Sequence, residues 1–444
     1  LRLGGRAILL SATLPQRTRS ALVSASLEAI TGFPQRWQAE SSAYPLLTQV
    51  SGAGSREVAP TSSSTVAQRR TEIAWLESPD QAVALAIEQA RAGRCVAWVR
   101  NTVGDARDAA AKVRAALGDD HAMLFHARFT SADRADIETD LIARFGPTSG
   151  GSARGGRVVV ATQVIEQSLD IDFDVMISDI APIDLLVQRA GRLQRHKRSA
   201  SGDRLVGDDV VDERAQATLH VMAPLWSTTP ETDWLGSHWR GSAAVYREVG
   251  LLWLTCRVLR EEGALILPSR SRHLVESVYS AIALDDVPDG LLQAQLTAEG
   301  EVGAAKSVAL LNVLDWESGY IDEGAAWSKD IDTPTRLGPP STTLRLAVRA
   351  DDGALQPLRT DRPWFGSDVR IRTGLISSAN DADFVTGAEL ERMPDNGRYV
   401  RVLVGERDRT GAWRARLGAP AKPLTLVYHT ADGLGFDQHE GASS

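Results

Sequence analysis

Arg189, Arg192 and Arg195 recur at intervals of three in the run Gln188-Arg-Ala-Gly-Arg-Leu-Gln-Arg195-His. On a helix and the turn after it, that spacing predicts three guanidiniums on one face. Grouped planar cations need an anion opposite them. Two kinds are open: a polyphosphate brought to the face, or surface pairing with Asp179 and Asp184. A second segment, Val158-Val-Val-Ala-Thr-Gln-Val-Ile-Glu-Gln-Ser-Leu-Asp170-Ile-Asp172, reads as a buried strand feeding a polar turn. Open α/β sheets bind ligands at such turns, beyond the C-terminal ends of parallel strands. A third, Ser11-Ala12-Thr13, closes the apolar run Arg6 to Pro15, which reads as a short buried strand. Three residues carry no weight alone; their order with the other two segments gives them weight.

The elements that must position these groups follow from periodicity. Arg17 to Ile30 reads as an amphipathic helix, and residues 51–70 as a flexible linker or surface hairpin. Strands are expected at Thr71–Leu76, Cys95–Val99, Ala122–Phe125, Val158–Ala161, Val175–Asp179 and Thr218–Met222. Helices are expected between them at Asp80–Ala92, Thr102–Leu117, Ser131–Phe145 and Asp184–Leu193, with Gly146–Gly156 as a flexible surface loop. This alternation implies an α/β fold, a parallel sheet with helices on both faces. Trp234–Gly263 and His273–Leu284 read as helical, and from about Thr335 short alternating runs predict a small β-rich domain. The expected organisation is 1–40, a remnant of a first lobe; 41–70, a linker; 71–223, a second lobe; 224–334, a helical connector; and 335–444, a β-rich accessory domain.

At 444 residues with 43% hydrophobic and 24% charged residues, the chain has the composition of a soluble multidomain protein. A net charge of −8 argues against a polyanion-binding whole surface but leaves room for a local basic groove. Cys95 and Cys256 lie in apolar runs and read as buried thiols, which fits a reducing cytoplasm. No stretch is long and apolar enough to predict a membrane span.

The order Ser-Ala-Thr, then Ala-Thr-Gln-Val-x4-Leu-Asp, then Gln-Arg-Ala-Gly-Arg-x2-Arg resembles motifs III, V and VI of superfamily-two helicases. Three further strings are similar to the helicase–nuclease of type I CRISPR systems, most like its subtype I-E form. They are Phe125-His-Ala-Arg-Phe-Thr-Ser-Ala-Asp-Arg134, Glu166 to Asp174, and Thr335-Arg-Leu-Gly-Pro-Pro-Ser341. The resemblance implies a RecA-like lobe and specific roles. Arg192 and Arg195 would be arginine fingers reaching the γ-phosphate of ATP, with Gln188 and Arg189 orienting them. Asp170 and Ser168 would lie near the nucleotide. Ser11, Ala12 and Thr13 would couple ATP to strand movement. Thr162, Gln163, His126, Arg128 and Arg134 would line a groove for the phosphate backbone of single-stranded DNA. ATP with Mg²⁺ is the implied cofactor, together with a divalent metal for a nuclease domain. The implied partner is an RNA-guided surveillance complex, and the implied role antiviral defence.

No phosphate-loop pattern occurs, since no Lys follows a Gly, and no His-Asp dipeptide occurs. Asp212-Glu-Arg-Ala215 fails the acidic metal box at its last position, and no residue is assigned to a metal. The expectation is therefore the C-terminal half of a motor. The ATP-holding lobe and nuclease would lie outside the chain, which would be inactive alone. Two alternatives stand beside it: a helicase of repair or RNA metabolism, and a nucleic-acid-binding module without ATPase. Trp226, Trp234, Trp239 and Trp253 read as packing residues or, alternatively, base-stacking ones. His196-Lys-Arg198 reads as a basic contact to nucleic acid or a solvated loop.

Overall fold

The computed structural model describes residues 1, 4–60, 68–166, 169–207, 209–236, 239–311, 340–397, 399–418 and 423–437. The chain forms two compact units: Leu1–Asn101, Gly150–Gly156 and Asp172–Thr297 in one, and Thr102–Ser149, Arg157–Ile171 and Ala298–Ser444 in the other.

The first unit is built on a mixed sheet. Its strands run in the order Val96–Val99, Val175–Asp179, Thr218–Met222, Arg69–Leu76 and Ala264–Leu267. The first four are parallel, and Ala264–Leu267 pairs antiparallel with Arg69–Leu76. Val96–Val99 and Val175–Asp179 are buried along their whole length, as parallel strands covered on both sides must be. The helix Pro79–Arg91 starts where the Ser78 side chain accepts from the Gln81 N–H, and it buries Ala82, Ala86 and Ala90 at a four-residue spacing. The helix Val249–Glu262 buries residues on nearly every side, from Leu251 to Leu259, and stops at left-handed Gly263.

One expectation fails here, and another shifts along the chain. Arg6 to Pro15 forms no strand; Ile8, Leu9 and Leu10 are 85%, 69% and 92% exposed. A strand requires a neighbouring strand for its N–H and C=O groups, and no described strand pairs with this run. A hairpin pairs Leu47–Ser51 with Gly54–Val58, beginning ahead of the 51–70 stretch where a linker or hairpin was expected.

The connector tryptophans pack. Trp226 stacks on Trp253 with ring centroids 5.1 Å apart, Trp239 is buried, and Trp234 donates to the Leu225 carbonyl at 3.2 Å. Cys95 and Cys256 are buried free thiols, each pushed up to about 12, chiefly by burial.

The second unit contains the parallel pair Ala122–Phe125 and Val158–Ala161 and the helices Val103–Leu117 and Ser131–Phe145. Thr102 and Thr130 cap these helices. Its C-terminal region is β-rich. Ser341–Arg349 pairs with Leu355–Pro357, Asp368–Arg372 and Arg401–Val404. A meander runs Glu406–Arg407, Trp413–Leu417, Leu424–His429 and Gly433–Asp437. Leu344, Val369, Trp413, Leu426 and Leu434 form the core of this region, and the buried Trp413 indole donates to the Ala347 carbonyl at 2.9 Å.

Candidate functional site

In the first unit the arginine run follows the strand Val175–Asp179. The helix after that strand spans Ile183–Ala190, shorter than expected, and ends on Gly191. The three arginines therefore share no helical face. Arg189 is buried: its guanidinium donates to Ser178 Oγ at 2.8 Å, the Asp179 carbonyl at 3.1 Å and the Tyr246 hydroxyl at 3.4 Å. The pairing weighed for it with Asp179 is no surface one, since both residues are buried; the Asp179 carboxylate also accepts from Arg100 Nε at 2.9 Å and the Asn101 N–H at 2.9 Å. Asp184 accepts from the Tyr279 hydroxyl at 2.7 Å.

Beyond Ala190 the chain turns and is clamped. Phe173 N–H donates to the Arg192 carbonyl at 3.0 Å, and Gln194 N–H returns to the Phe173 carbonyl at 2.8 Å. Leu193 is fully buried between them, Gln194 takes φ 47°, and Arg69 donates to the Gln194 carbonyl at 3.0 Å. The result is a rigid turn with Arg192 half-buried and Arg195 exposed. Gln188 is exposed on the preceding helix. Thr13 is buried, Ser11 and Ala12 are exposed, and the segment is held by Arg272 on the Leu14 carbonyl at 2.7 Å and by Glu276 accepting from Gln16 N–H at 2.8 Å.

Under the clamp lies an ionic cluster that sequence reasoning missed. Gly151–Arg154 is a helical turn rather than a flexible surface loop, and Arg154 is buried in the protein interior. It donates to Asp172 and to Asp174, each at 2.9 Å, and its Nη2 lies 2.9 Å from the Cys95 sulfur. Arg198 reaches Asp172 at 2.5 Å and is fully buried, so the His196-Lys-Arg198 run is no wholly solvated loop. Arg214 reaches Asp172 at 3.0 Å, Asp174 at 2.9 Å and Asp212 at 2.7 Å. The Asp212-Glu-Arg string is thus part of a structural cluster. Burial would raise the Asp172 carboxyl, but the charges of Arg214 and Arg154 and hydrogen bonds from Arg154 and Arg198 hold it below the usual carboxylate range. A cavity of about 520 Å³ opens beside this cluster at the start of Val175–Asp179 and Thr218–Met222. That is the strand end opposite to where ligands bind in parallel sheets.

In the second unit two expected segments meet. Ala122–Phe125 and Val158–Ala161 are parallel neighbours, and the Thr162 N–H donates to the Phe125 carbonyl at 3.1 Å. Thr162-Gln163 and His126-Ala-Arg128 therefore leave adjacent C-terminal strand ends. Thr162 is buried and Gln163 half-buried, at the start of a short 3₁₀ turn. Arg128 is half-buried with its guanidinium 5.3 Å from the Phe436 ring centroid. Arg134 pairs with Glu138 at 2.8 Å.

His126 lines no groove. It is fully buried, its Nε2 donates to the Asp432 carbonyl at 3.1 Å, and its Nδ1 accepts from the Arg128 N–H at 3.1 Å. Burial above all pushes it down to about 3, leaving a neutral ring. Asp170 is exposed, and Ser168 lies outside the described residues, as does most of Thr335 to Ser341.

A family profile described as CRISPR-associated nuclease/helicase Cas3, C-terminal, matches residues 92–198, which contain the clamped arginine turn and the Thr162 segment. A Cas3 nuclease/helicase of Streptococcus thermophilus is 35% identical over 198 residues, covering 43% of this chain and 20% of that protein. The crystal structure of T. fusca Cas3 superposes with a TM-score of 0.74 over 96% of this chain and 49% of that one, at 22% identity. Residues 92–198 are thus similar to the C-terminal region of Cas3, and the chain as a whole has the fold of the solved Cas3 structure. A chain in a structure described as a CRISPR RNA-guided surveillance complex, pre-nicking, has the same fold, with TM-score 0.70 and 24% identity over 96% of this chain and 53% of that one.

The chain spans about half the length of the solved Cas3 structures it matches and a fifth to a quarter of the first curated relatives. The fold gives Arg100, Arg154 and Arg214 partners that the sequence did not assign to them. Arg100 and Asp179 brace the end of a central strand. Arg154, Asp172 and Arg214 support the turn that presents Arg195. The acidic partners Asp172 and Asp174 stood in plain view in the sequence, but only a folded chain brings Arg154 to them.

Proposed function

We propose that this chain is the C-terminal helicase portion of an ATP-dependent helicase–nuclease of type I CRISPR interference. It moves on single-stranded DNA and is recruited by an RNA-guided surveillance complex. One observation carries the reading: an exposed Arg195 on a turn clamped by reciprocal backbone hydrogen bonds and seated beside a buried Arg189. A guanidinium so held loses little freedom when it meets a polyphosphate, which suits an arginine finger. Arg192 shares the turn and the role. ATP and Mg²⁺ are held mainly by a lobe outside these 444 residues, because the sequence carries no phosphate loop. Thr162, Gln163 and Arg128 take the phosphate backbone at the C-terminal strand ends of the second unit. His126 positions that segment from beneath, and Arg134, engaged with Glu138, flanks it. The names of the relatives and the solved surveillance complex support the CRISPR part of the reading.

The test supplies the ATP-holding lobe as the full-length protein and measures DNA-stimulated ATP hydrolysis. Arg195→Ala is expected to lower it by about 10³-fold, the scale of an arginine finger. Unchanged hydrolysis would remove the finger assignment, and brisk hydrolysis by this chain alone would remove the half-motor reading.

A further inference from the structure

The turn that presents Arg195 uses its backbone groups in order. After the helix Ile183–Ala190, the Arg192 N–H returns to the Arg189 carbonyl at 2.8 Å and the Leu193 N–H to the Ala190 carbonyl at 3.1 Å. The Arg192 carbonyl and the Gln194 N–H are taken by Phe173. The carbonyls of Leu193 and Gln194 remain, and a carbonyl turned from water needs a donor. One side chain supplies both. Arg69 Nη2 donates to the Leu193 carbonyl and, at 3.0 Å, to the Gln194 carbonyl. Arg69 comes from a distant part of the sequence. It opens the strand Arg69–Leu76 and lies opposite Leu267 of the antiparallel neighbour, so its backbone is fixed in the sheet. Among the described residues its side chain makes hydrogen bonds to this turn alone.

Gln194 takes φ 47°, a left-handed conformation that a non-glycine residue keeps only where its surroundings hold it. Its side chain is held too, donating to the Ala215 carbonyl at 2.8 Å. The Gln194 carbonyl belongs to the planar peptide unit that runs into Arg195, so its direction sets the direction in which Arg195 leaves the turn. We infer that Arg69 is a positioning residue for Arg195: by donating to the Leu193 and Gln194 carbonyls it fixes the peptide plane from which the exposed guanidinium projects. The role rests on the arginine-finger reading of Arg195 and adds a residue from outside the Gln188–Arg195 run. A finger acts only when it meets the transferring phosphoryl group in the right place, and a misplacement of about 1 Å can cost on the order of 10²-fold in rate. Without Arg69, two carbonyls directly before the finger lose their donor, and the left-handed residue between Leu193 and Arg195 loses a restraint.

The experiment is a double-variant cycle on the full-length protein, with kcat and KM for ATP measured in DNA-stimulated hydrolysis. Arg69→Met, similar in length but without donors, should lower kcat by about 10- to 100-fold. KM should stay within about twofold, because ATP is bound elsewhere and only the finger is displaced. In an Arg195→Ala background the same substitution should change kcat by less than about twofold, since a residue that acts through another then has nothing to position. Hydrogen exchange at the Gln194 N–H should quicken in Arg69→Met, and circular dichroism checks that the variant is folded. If it is not, Arg69→Gln, polar but too short to serve both carbonyls, is carried through the same cycle and read in the same way. An unchanged kcat, or an equal loss with and without Arg195, would overturn the positioning role and leave the finger standing. Wild-type hydrolysis by Arg195→Ala would remove the finger and the role together.

Discussion

Arg154 donates to the Asp172 carboxylate at 2.9 Å, with both side chains withdrawn from solvent. The pair joins a one-turn helix to the residue next to Phe173, whose backbone clamps the Arg192–Gln194 turn. Removing one member of a buried pair strands the other charge, at a cost of roughly 3–5 kcal/mol. Arg154→Met should therefore lower the unfolding free energy by about that amount, read from the denaturant midpoint at constant slope. Arg154→Lys should rescue little, because a lysine cannot reach Asp172, Asp174 and the Cys95 sulfur together. A loss under about 1 kcal/mol in both variants would mean the cluster does not hold the turn.

Acid should act on His126 before it acts on Asp172. His126 is held neutral in the fold, mainly by burial, at about 3 against an ordinary value of 6.5. The unfolded chain thus takes up a proton that the folded chain refuses. The stability this neutral ring contributes is complete above about pH 6.5 and drains away as pH falls toward 3, by up to about 1.4 kcal/mol per unit. Asp172 is depressed below the carboxylate range, so its contribution is complete above about pH 3.9 and is lost only in stronger acid. Urea unfolding at pH 7, 6 and 5 should show the decline in the wild type. His126→Gln, folded but without the titrating ring, should show a flatter profile; an equal slope in both would remove His126 as its source.

Much of this fold was legible because it is written locally. Ala122–Phe125, Val158–Ala161, Val175–Asp179 and Thr218–Met222 are short runs rich in apolar residues and bounded by turns, and each is a strand with the expected limits. Ala264–Leu267 was hidden: four apolar residues directly after Gly263 carry no period that separates strand from helix. The exposed Ile8–Leu10 run failed for the converse reason, since local hydrophobicity predicts a strand only where a partner strand exists. The site was half legible. Spacing located Arg189, Arg192 and Arg195, but not the helix stop at Ala190 that sends the first inward and the last outward. Arg154 gave no signal at all. An arginine's partners are set by tertiary contacts, here Asp172, eighteen positions along the chain.

Tyr428 should matter to the second unit out of proportion to its one hydroxyl. That oxygen accepts from the Thr130 N–H at 3.1 Å and donates to the Asp133 carboxylate, which Arg359 also grips. Thr130 caps the helix Ser131–Phe145, so the C-terminal β-rich region holds that helix by its first turn. Tyr428→Phe keeps the ring and leaves the Thr130 N–H and Asp133 short of a partner. The expected loss is about 1–3 kcal/mol, with faster hydrogen exchange at Thr130. Unchanged exchange there, with unchanged stability, would show that Arg359 and the Thr130 side chain suffice.

Arg189 and Arg195 lie six positions apart in sequence, yet their variants should fail in opposite ways. Arg189 is buried and makes hydrogen bonds to Ser178, Asp179 and Tyr246, so Arg189→Ala should destabilise the chain by roughly 3 kcal/mol or more. Arg195 is exposed on the clamped turn, and Arg195→Ala should leave unfolding within about 0.5 kcal/mol of the wild type. In the full-length protein the order reverses for the chemistry. Arg195→Ala should keep nucleotide binding near normal while hydrolysis falls by about 10³-fold, because the charge is needed chiefly in the transition state. Paired denaturation and single-turnover ATPase measurements separate the two. If Arg195→Ala unfolds the chain as readily as Arg189→Ala does, the exposed arginine is part of the scaffold and its catalytic assignment falls.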